Sequence, residues 1–257
     1  MRQIRAPQIT VFALLFALSL VFAVSTTSIT LGGLQLGDFR GVALLAGGVV
    51  LFYVYAIGVY RIFLYFMPLR TGEIAIGSRQ EFIYHVYILF YLMLFYPIMR
   101  SGFVPAPLMR TFYLALGTRL GSNTYCQGII HDPPFVEVGA NSVIGQSALL
   151  IPHVIEGSRL AHFPIRIGDN VTIGAHAVVL ADVIIGDGAI VATGAVVKKG
   201  TRIGNGETWG GVPAHALSGA GASAIHPKEQ SRSPDKSAGP GHPAPHGDAA
   251  SFESKET

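Results

Sequence analysis

Two hydrophobic patterns divide this chain. Residues 6 to 37 contain no Asp, Glu, Lys or Arg, and neither do residues 41 to 60. The unbroken apolar heart of the first stretch, Ile9 to Val24, crosses the roughly 30 Å hydrocarbon layer of a bilayer only if it extends toward Thr30. Gly41 to Tyr60 is long enough as it stands and can continue to Met67. Both stretches predict membrane-spanning helices. Arg2 and Arg5 before the first, and Arg61, Arg70 and Arg79 after the second, place both flanks on the cytoplasmic side, with Asp38 and Arg40 outside. The small residues around Ala23 and Ser25 also allow the first stretch to be read as a cleaved signal peptide. A third uncharged run, Phe82 to Met99, predicts an interfacial or partly buried helix between Arg79 and Arg100. Tyr84, Tyr87, Tyr91 and Tyr96 suit a headgroup boundary, and Pro97 closes the run. The alternative, a third crossing, would put everything that follows on the opposite side.

Beyond residue 118 the period changes. "VGANSV", "IGQSAL" and "LIPHVI" run from Val138, and the pattern resumes at Ile167 with "IGDNVT", "IGAHAV", "VLADVI", "IGDGAI", "VATGAV", "VKKGTR" and "IGNGET". The leaders Ile167, Ile173, Val179, Ile185, Val191, Val197 and Ile203 keep a spacing of six, and the residues four places after them, from Val171 to Thr201, are small or β-branched. This is neither a helical period nor strand alternation. It fits one short strand and one turn per hexad, three hexads to a coil, with large leaders stacked inside. Neighbouring coils then pair as parallel strands about 4.8 Å apart. The predicted fold is all-β: a left-handed parallel β-helix, preceded by the transmembrane and interfacial helices. Looser hexads reach back to Leu120 and Cys126, which puts Cys126 in the buried register. The count slips once between Pro152 and Arg166, so that a bulge or loop must leave the coil there. Interruptions of a rigid stack are where binding groups are presented.

These patterns give four expected regions: a membrane anchor over 1–78, an interfacial helical connection over 79–117, the β-helix over 118–217, and a tail over 218–257. The tail, with "SRSPDKSAGPGHPAPHGD", has no material for a core and is expected to be disordered. A net charge of +3 without a basic, aromatic-laced patch argues against nucleic acid, and one cysteine excludes a disulfide framework. Neither a Walker sequence nor an H-E-x-x-H motif occurs.

"IRIGDNVTIGAHAVVLADVIIGDGAIVATGAVVKKG" followed by "WGGVPA" resembles the bacterial transferase hexapeptide-repeat family of acyl-coenzyme A dependent acyltransferases, over about residues 118 to 216. The resemblance implies a homotrimer with acyl-coenzyme A in a groove between adjacent β-helices, and a histidine base. His153 in "LLIPHVIEG" stands where related sugar acetyltransferases carry that histidine, although the "SHD" or "GHP" context is absent. Lys199 matches the lysine that closes the penultimate coil beside the coenzyme, Thr193 the small residue whose backbone meets the pantetheine arm, and Trp209 to Ala214, with Gly211, the terminal turn. The segment "LMRTFYLALGTRLGSNTYCQG" resembles the entry to membrane-associated members.

Acyl transfer from a thioester to a hydroxyl needs a base, donors for an oxyanion and a placed thioester. His153 is the expected base, with Glu156 three residues on to orient it and His162 in "LAHFPIRIG" as the rival. Lys198, Lys199 and Arg202 offer charge to the coenzyme phosphates. His176 points outward from a coil position, where a coenzyme-groove or interface contact and a plain solvated histidine are equally expected, and His131 with Asp132 can shape an acceptor pocket, although the prolines that follow equally suit a structural turn. The expected function is acetyl-coenzyme A dependent O-acylation, without a metal, of a lipid-linked or surface-destined saccharide at the cytoplasmic face of the inner membrane. The alternatives are N-acylation, a silent trimeric scaffold, and a zinc carbonic anhydrase, for which the histidine spacing is unsuited.

Overall fold

The structure is a computed structural model that describes residues 2–35, 37–102 and 104–218. The region expected to be a disordered tail lies outside the described residues, apart from Ser218. Helices precede the coil, as the sequence leads one to expect: α1 (Ala6–Leu31), α2 (Arg40–Phe66), α3 (Arg79–Phe90), α4 (Tyr96–Ser101) and α5 (Ala106–Leu116). A π-helical turn, Tyr91–Phe95, joins α3 to α4 without a break.

Helices α1 and α2 pack as a pair that leaves Leu14, Val21, Ile29, Val42, Leu45 and Val54 exposed. Three helical stretches, Ala6–Leu31, Gly37–Phe66 and Arg79–Ser101, are long and apolar enough to cross a membrane. The third differs from the others: 56% of its most apolar window is buried inside the protein, against 11% and 6%. Its rings explain the difference, because Tyr84 lies beside His162 while Tyr91 and Tyr96 both lie beside His131. The helix therefore packs against the coil through these rings.

The coil has three parallel faces. The first carries Arg119–Leu120, Val136–Val138, Ile165–Ile167, Ile184–Ile185 and Arg202–Ile203. The second carries Tyr125–Cys126, Val143–Ile144, Thr172–Ile173, Ile190–Val191 and Thr208–Gly210, and the third Ile129–Ile130, Leu149–Leu150, Val178–Val179 and Val196–Val197. Leaders stack on leaders: Ile144 pairs in register with Ile173, and Ile173 with Val191, and all three are fully buried. Between the first and second faces the chain turns through left-handed Asn123, Asn141 and Asn170, a conformation that Asn tolerates better than most residues. Along that corner Asp169 accepts the amide of Ala140 at 2.6 Å, and Asp187 accepts that of Asp169 at 2.8 Å.

The near end of the stack is closed by α5, whose Tyr113 hydroxyl donates to Gly128 O at 2.8 Å and accepts the Ile130 amide at 3.2 Å. At the far end, His215–Ser218 folds back antiparallel on Thr208–Gly210 and covers the open edge. Cys126 lies in the buried register as expected, and burial pushes its thiol up to about 12. Truncating a mid-stack leader removes contacts to the coils above and below. Ile173→Ala is expected to cost about 2–5 kcal/mol of unfolding free energy, measured by denaturation monitored on the coil.

Candidate active site

The site follows from two irregularities at one corner, where the third face returns to the first. In the first coil the leaders Cys126 and Ile130 are only four positions apart, and Ile130 and Val138 are eight apart. Two residues are thus lost from one corner and gained at the next. The gain is taken up by His131–Phe135, where Asp132 adopts a left-handed conformation (φ 45°) and its carbonyl accepts the Phe135 amide across the turn Pro133–Phe135. In the second coil Val138 pairs with Ile167, whereas the regular repeat would have brought it to residue 156; eleven extra residues leave the stack there. They form a hairpin of His153–Glu156 and Arg159–His162, with His153 opposite His162 and Gly157 and Ser158 at the tip.

The N-terminal region holds this hairpin in place. Gly72–Glu73 adds a third, antiparallel strand with Gly72 opposite His162, and Arg159 pairs with Glu73 at 2.6 Å. The Arg2 guanidinium donates to Ile74 O at 2.7 Å and to Ser158 O at 3.0 Å, and pairs with Glu81 at 3.1 Å. One side chain therefore ties together the start of α1, the linker strand, the start of α3 and the hairpin tip.

Asp132 lies under the hairpin, 1% exposed, and accepts a hydrogen bond from His153 Nδ1 at 2.5 Å. Its other oxygen is 4.0 Å from His162 Nε2. Burial opposes ionisation of Asp132, but the His153 hydrogen bond and the surrounding imidazoles outweigh it and hold the carboxyl at about 2. Burial also opposes charge on His153, yet the hydrogen bond and charge of Asp132 prevail and raise it above 6.5. Such a pair fixes the tautomer: Nδ1 carries the proton toward Asp132, which leaves Nε2 as the basic nitrogen. The ring edge of His153 meets His131 at 90°, and the Tyr91 hydroxyl is 3.2 Å from His131 Nδ1. Burial lowers both His131 and His162, against the pull of the Asp132 charge.

A cavity of about 440 Å³ opens over His153, Asp132 and His131, between the hairpin and the face of the third helical stretch that carries Ile88, Leu92 and Tyr96.

Glu156, expected to orient His153, does not meet it: the Glu156 carboxylate pairs with Lys199 Nζ at 2.5 Å and with Arg159 at 3.3 Å, and the carboxylate that meets the imidazole is Asp132. His162 is fully buried and stacked on Phe135 at 4.5 Å, with neither ring nitrogen hydrogen-bonded, and it does not line the cavity. Lys198 and Lys199 lie two coils further along the same corner as His153, where Gly200 donates to Ala181 O. His176, Thr193 and Gly211 sit instead at the corner between the second and third faces: Gly194 donates to Ala175 O at 2.9 Å, and Val196 to Gly211 O at 3.0 Å. His176 is exposed there with φ 57°. Trp209 is half-buried, its Nε1–H donating to Glu207 at 2.8 Å. Among the described residues no group of three His, Cys, Asp or Glu is placed to hold a metal ion.

A comparison with curated proteins finds no match. Several solved structures are similar to the chain over 40% of its length. A hexapeptide-repeat acetyltransferase from Vibrio cholerae O1 biovar eltor, complexed with acetyl coenzyme A, is 25% identical, with 60% of that chain covered and a TM-score of 0.37. A galactoside acetyltransferase in complex with coenzyme A is 30% identical, with 55% covered and a TM-score of 0.37. A maltose O-acetyltransferase from Clostridium difficile 630 is 22% identical, with 59% covered and a TM-score of 0.37. The chain thus spans less than two thirds of the length of each. Residues 164–199, the heart of the coil, match the family model described as bacterial transferase hexapeptide (six repeats).

Proposed function

We propose that this protein is an acyl-coenzyme A dependent acyltransferase, using acetyl-coenzyme A, that acylates a hydroxyl of a lipid-linked or surface-destined saccharide. The observation that carries the reading is the Asp132–His153 pair, with the imidazole lining a cavity. His153 Nε2 takes the proton of the acceptor hydroxyl as its oxygen attacks the thioester carbonyl. The tetrahedral intermediate collapses with cleavage of the C–S bond, and the imidazolium returns the proton to the departing thiolate. Asp132 stabilises the imidazolium between the two steps.

We read the coil as left-handed and as one third of a homotrimer. Lys198 and Lys199 border one side of the third face, and His176, Thr193 and Gly211 the other. Residues split in this way suit the two walls of a groove shared by adjacent subunits, with Trp209 near its end. Glu156 neutralises Lys199 until coenzyme phosphate replaces it. Lys199→Gln is expected to raise the acetyl-coenzyme A KM about five- to tenfold while leaving kcat within twofold, as the steady-state kinetics of the two forms would show.

For localisation, we read α1 and α2 as spans of the inner membrane and the third helical stretch as lying along the coil on the cytoplasmic side. The burial of that stretch and the Arg2 contacts to the hairpin support this reading. A signal peptide removed after α1 would take Arg2 away with it.

The test is incubation of the detergent-purified protein with radiolabelled acetyl-coenzyme A and membrane lipid extract. Label recovered as an alkali-labile ester on a lipid-linked saccharide supports the reading. Label in a stable amide would make it an N-acyltransferase, and no label together with no coenzyme binding would leave a scaffold.

A further inference from the structure

The cavity over His153 has walls of two origins. The coil and its hairpin supply Asp132, His131 and Ile155, but Ile4, Ile88 and Leu92 come from chain that precedes the coil. Ile4 lies two residues before the apolar helix α1, and Ile88 and Leu92 are one turn apart on one helical face. Leu92 and Ile155 are each 50% exposed and Ile4 37%, so that they form an apolar part of the lip, beside exposed Ser158 and Arg159, while Asp132 lies buried inside. A free sugar gains nothing from such a lip. An amphiphile gains burial for its apolar part while its hydroxyl reaches the imidazole.

We infer that this cavity is the acceptor site, and that it selects an acceptor carrying an apolar chain beside the reactive hydroxyl, the chain lying against Ile4, Leu92 and Ile155 at the mouth and Ile88 further in. The inference rests on the acyltransferase reading and adds to it where the acceptor binds and by which of its parts. It also makes acceptor choice a property of the anchor segments, with the coil supplying the chemistry.

The probes are alkyl glucosides from butyl to octyl, each below its micelle-forming concentration, offered to the full chain with acetyl-coenzyme A. Burial of a methylene corresponds to about fourfold in an equilibrium constant, so kcat/KM is expected to rise two- to fourfold for each one added. Leu92→Asn and Ile155→Asn change exposed side chains and are expected to flatten that slope. A second readout is independent of transfer: carbethoxylation of His153 by diethyl pyrocarbonate, followed by mass spectrometry, should be slowed in proportion to chain length. Equal kcat/KM for all glucosides would overturn the inference, as would a steep dependence on the acyl-coenzyme A chain instead. Graded protection of His153 without transfer would keep the cavity assignment and sink the acyltransferase reading, whereas absence of both would sink the two together.

Discussion

Asp132→Asn is expected to lower kcat/KM for acyl transfer by about 10²- to 10⁴-fold and to move the acidic limb of the pH profile downward. The sign follows from the surroundings of His153. In the parent protein the Asp132 hydrogen bond and charge raise the imidazole above 6.5, so its basic form accumulates only as pH rises through that elevated value. With Asn at 132 the charge is gone and burial remains, which by itself disfavours the imidazolium. The limb should then lie below 6.5 and the maximal rate should fall, because the imidazolium formed during proton transfer has lost its counter-charge. A pH series of kcat/KM on both forms decides the matter. A limb that stays in place would mean that Asp132 supports the corner without tuning the base.

The second large effect concerns which histidine is the base. His153→Gln keeps a hydrogen-bond donor for Asp132 but has no basic nitrogen, and is expected to reduce transfer about 10³-fold with acetyl-coenzyme A binding retained. His162→Leu removes a buried ring that does not line the cavity and stands 4.0 Å from the Asp132 carboxylate, and should keep transfer within about tenfold of the parent. Single-turnover transfer measured on the two variants separates them. Comparable losses in both would overturn the assignment of His153.

The six-residue leaders from Ile167 to Ile203 were legible because each coil repeats the same burial demand, and the slip between Pro152 and Arg166 correctly located a departure from the stack. The partner of His153 was not legible, for two physical reasons. Glu156 is near in sequence, but His153 and Glu156 lie on one strand, where an odd separation sends side chains to opposite faces. Asp132 is twenty-one residues away and comes under His153 only because the first coil is two residues short at one corner and two long at the next. The interval of eight between Ile130 and Val138 was the available signal; reading the first coil as merely loose concealed it. The run from Arg79 was ambiguous for another reason. Composition reports that a helix avoids water, and a coil surface and a bilayer satisfy that demand equally.

The Arg2 clamp also sets an order of assembly. The guanidinium binds a carbonyl 156 positions later in the chain, on a hairpin that a ribosome delivers long after α1 and α2 have emerged. The repeat can stack coil by coil from local instructions, whereas the hairpin tip must wait for a docking point made at the beginning of synthesis. Were α1 not in place, every coil could still stack, and the hairpin would keep only the Gly72–Glu73 strand and the Arg159–Glu73 pair to hold it.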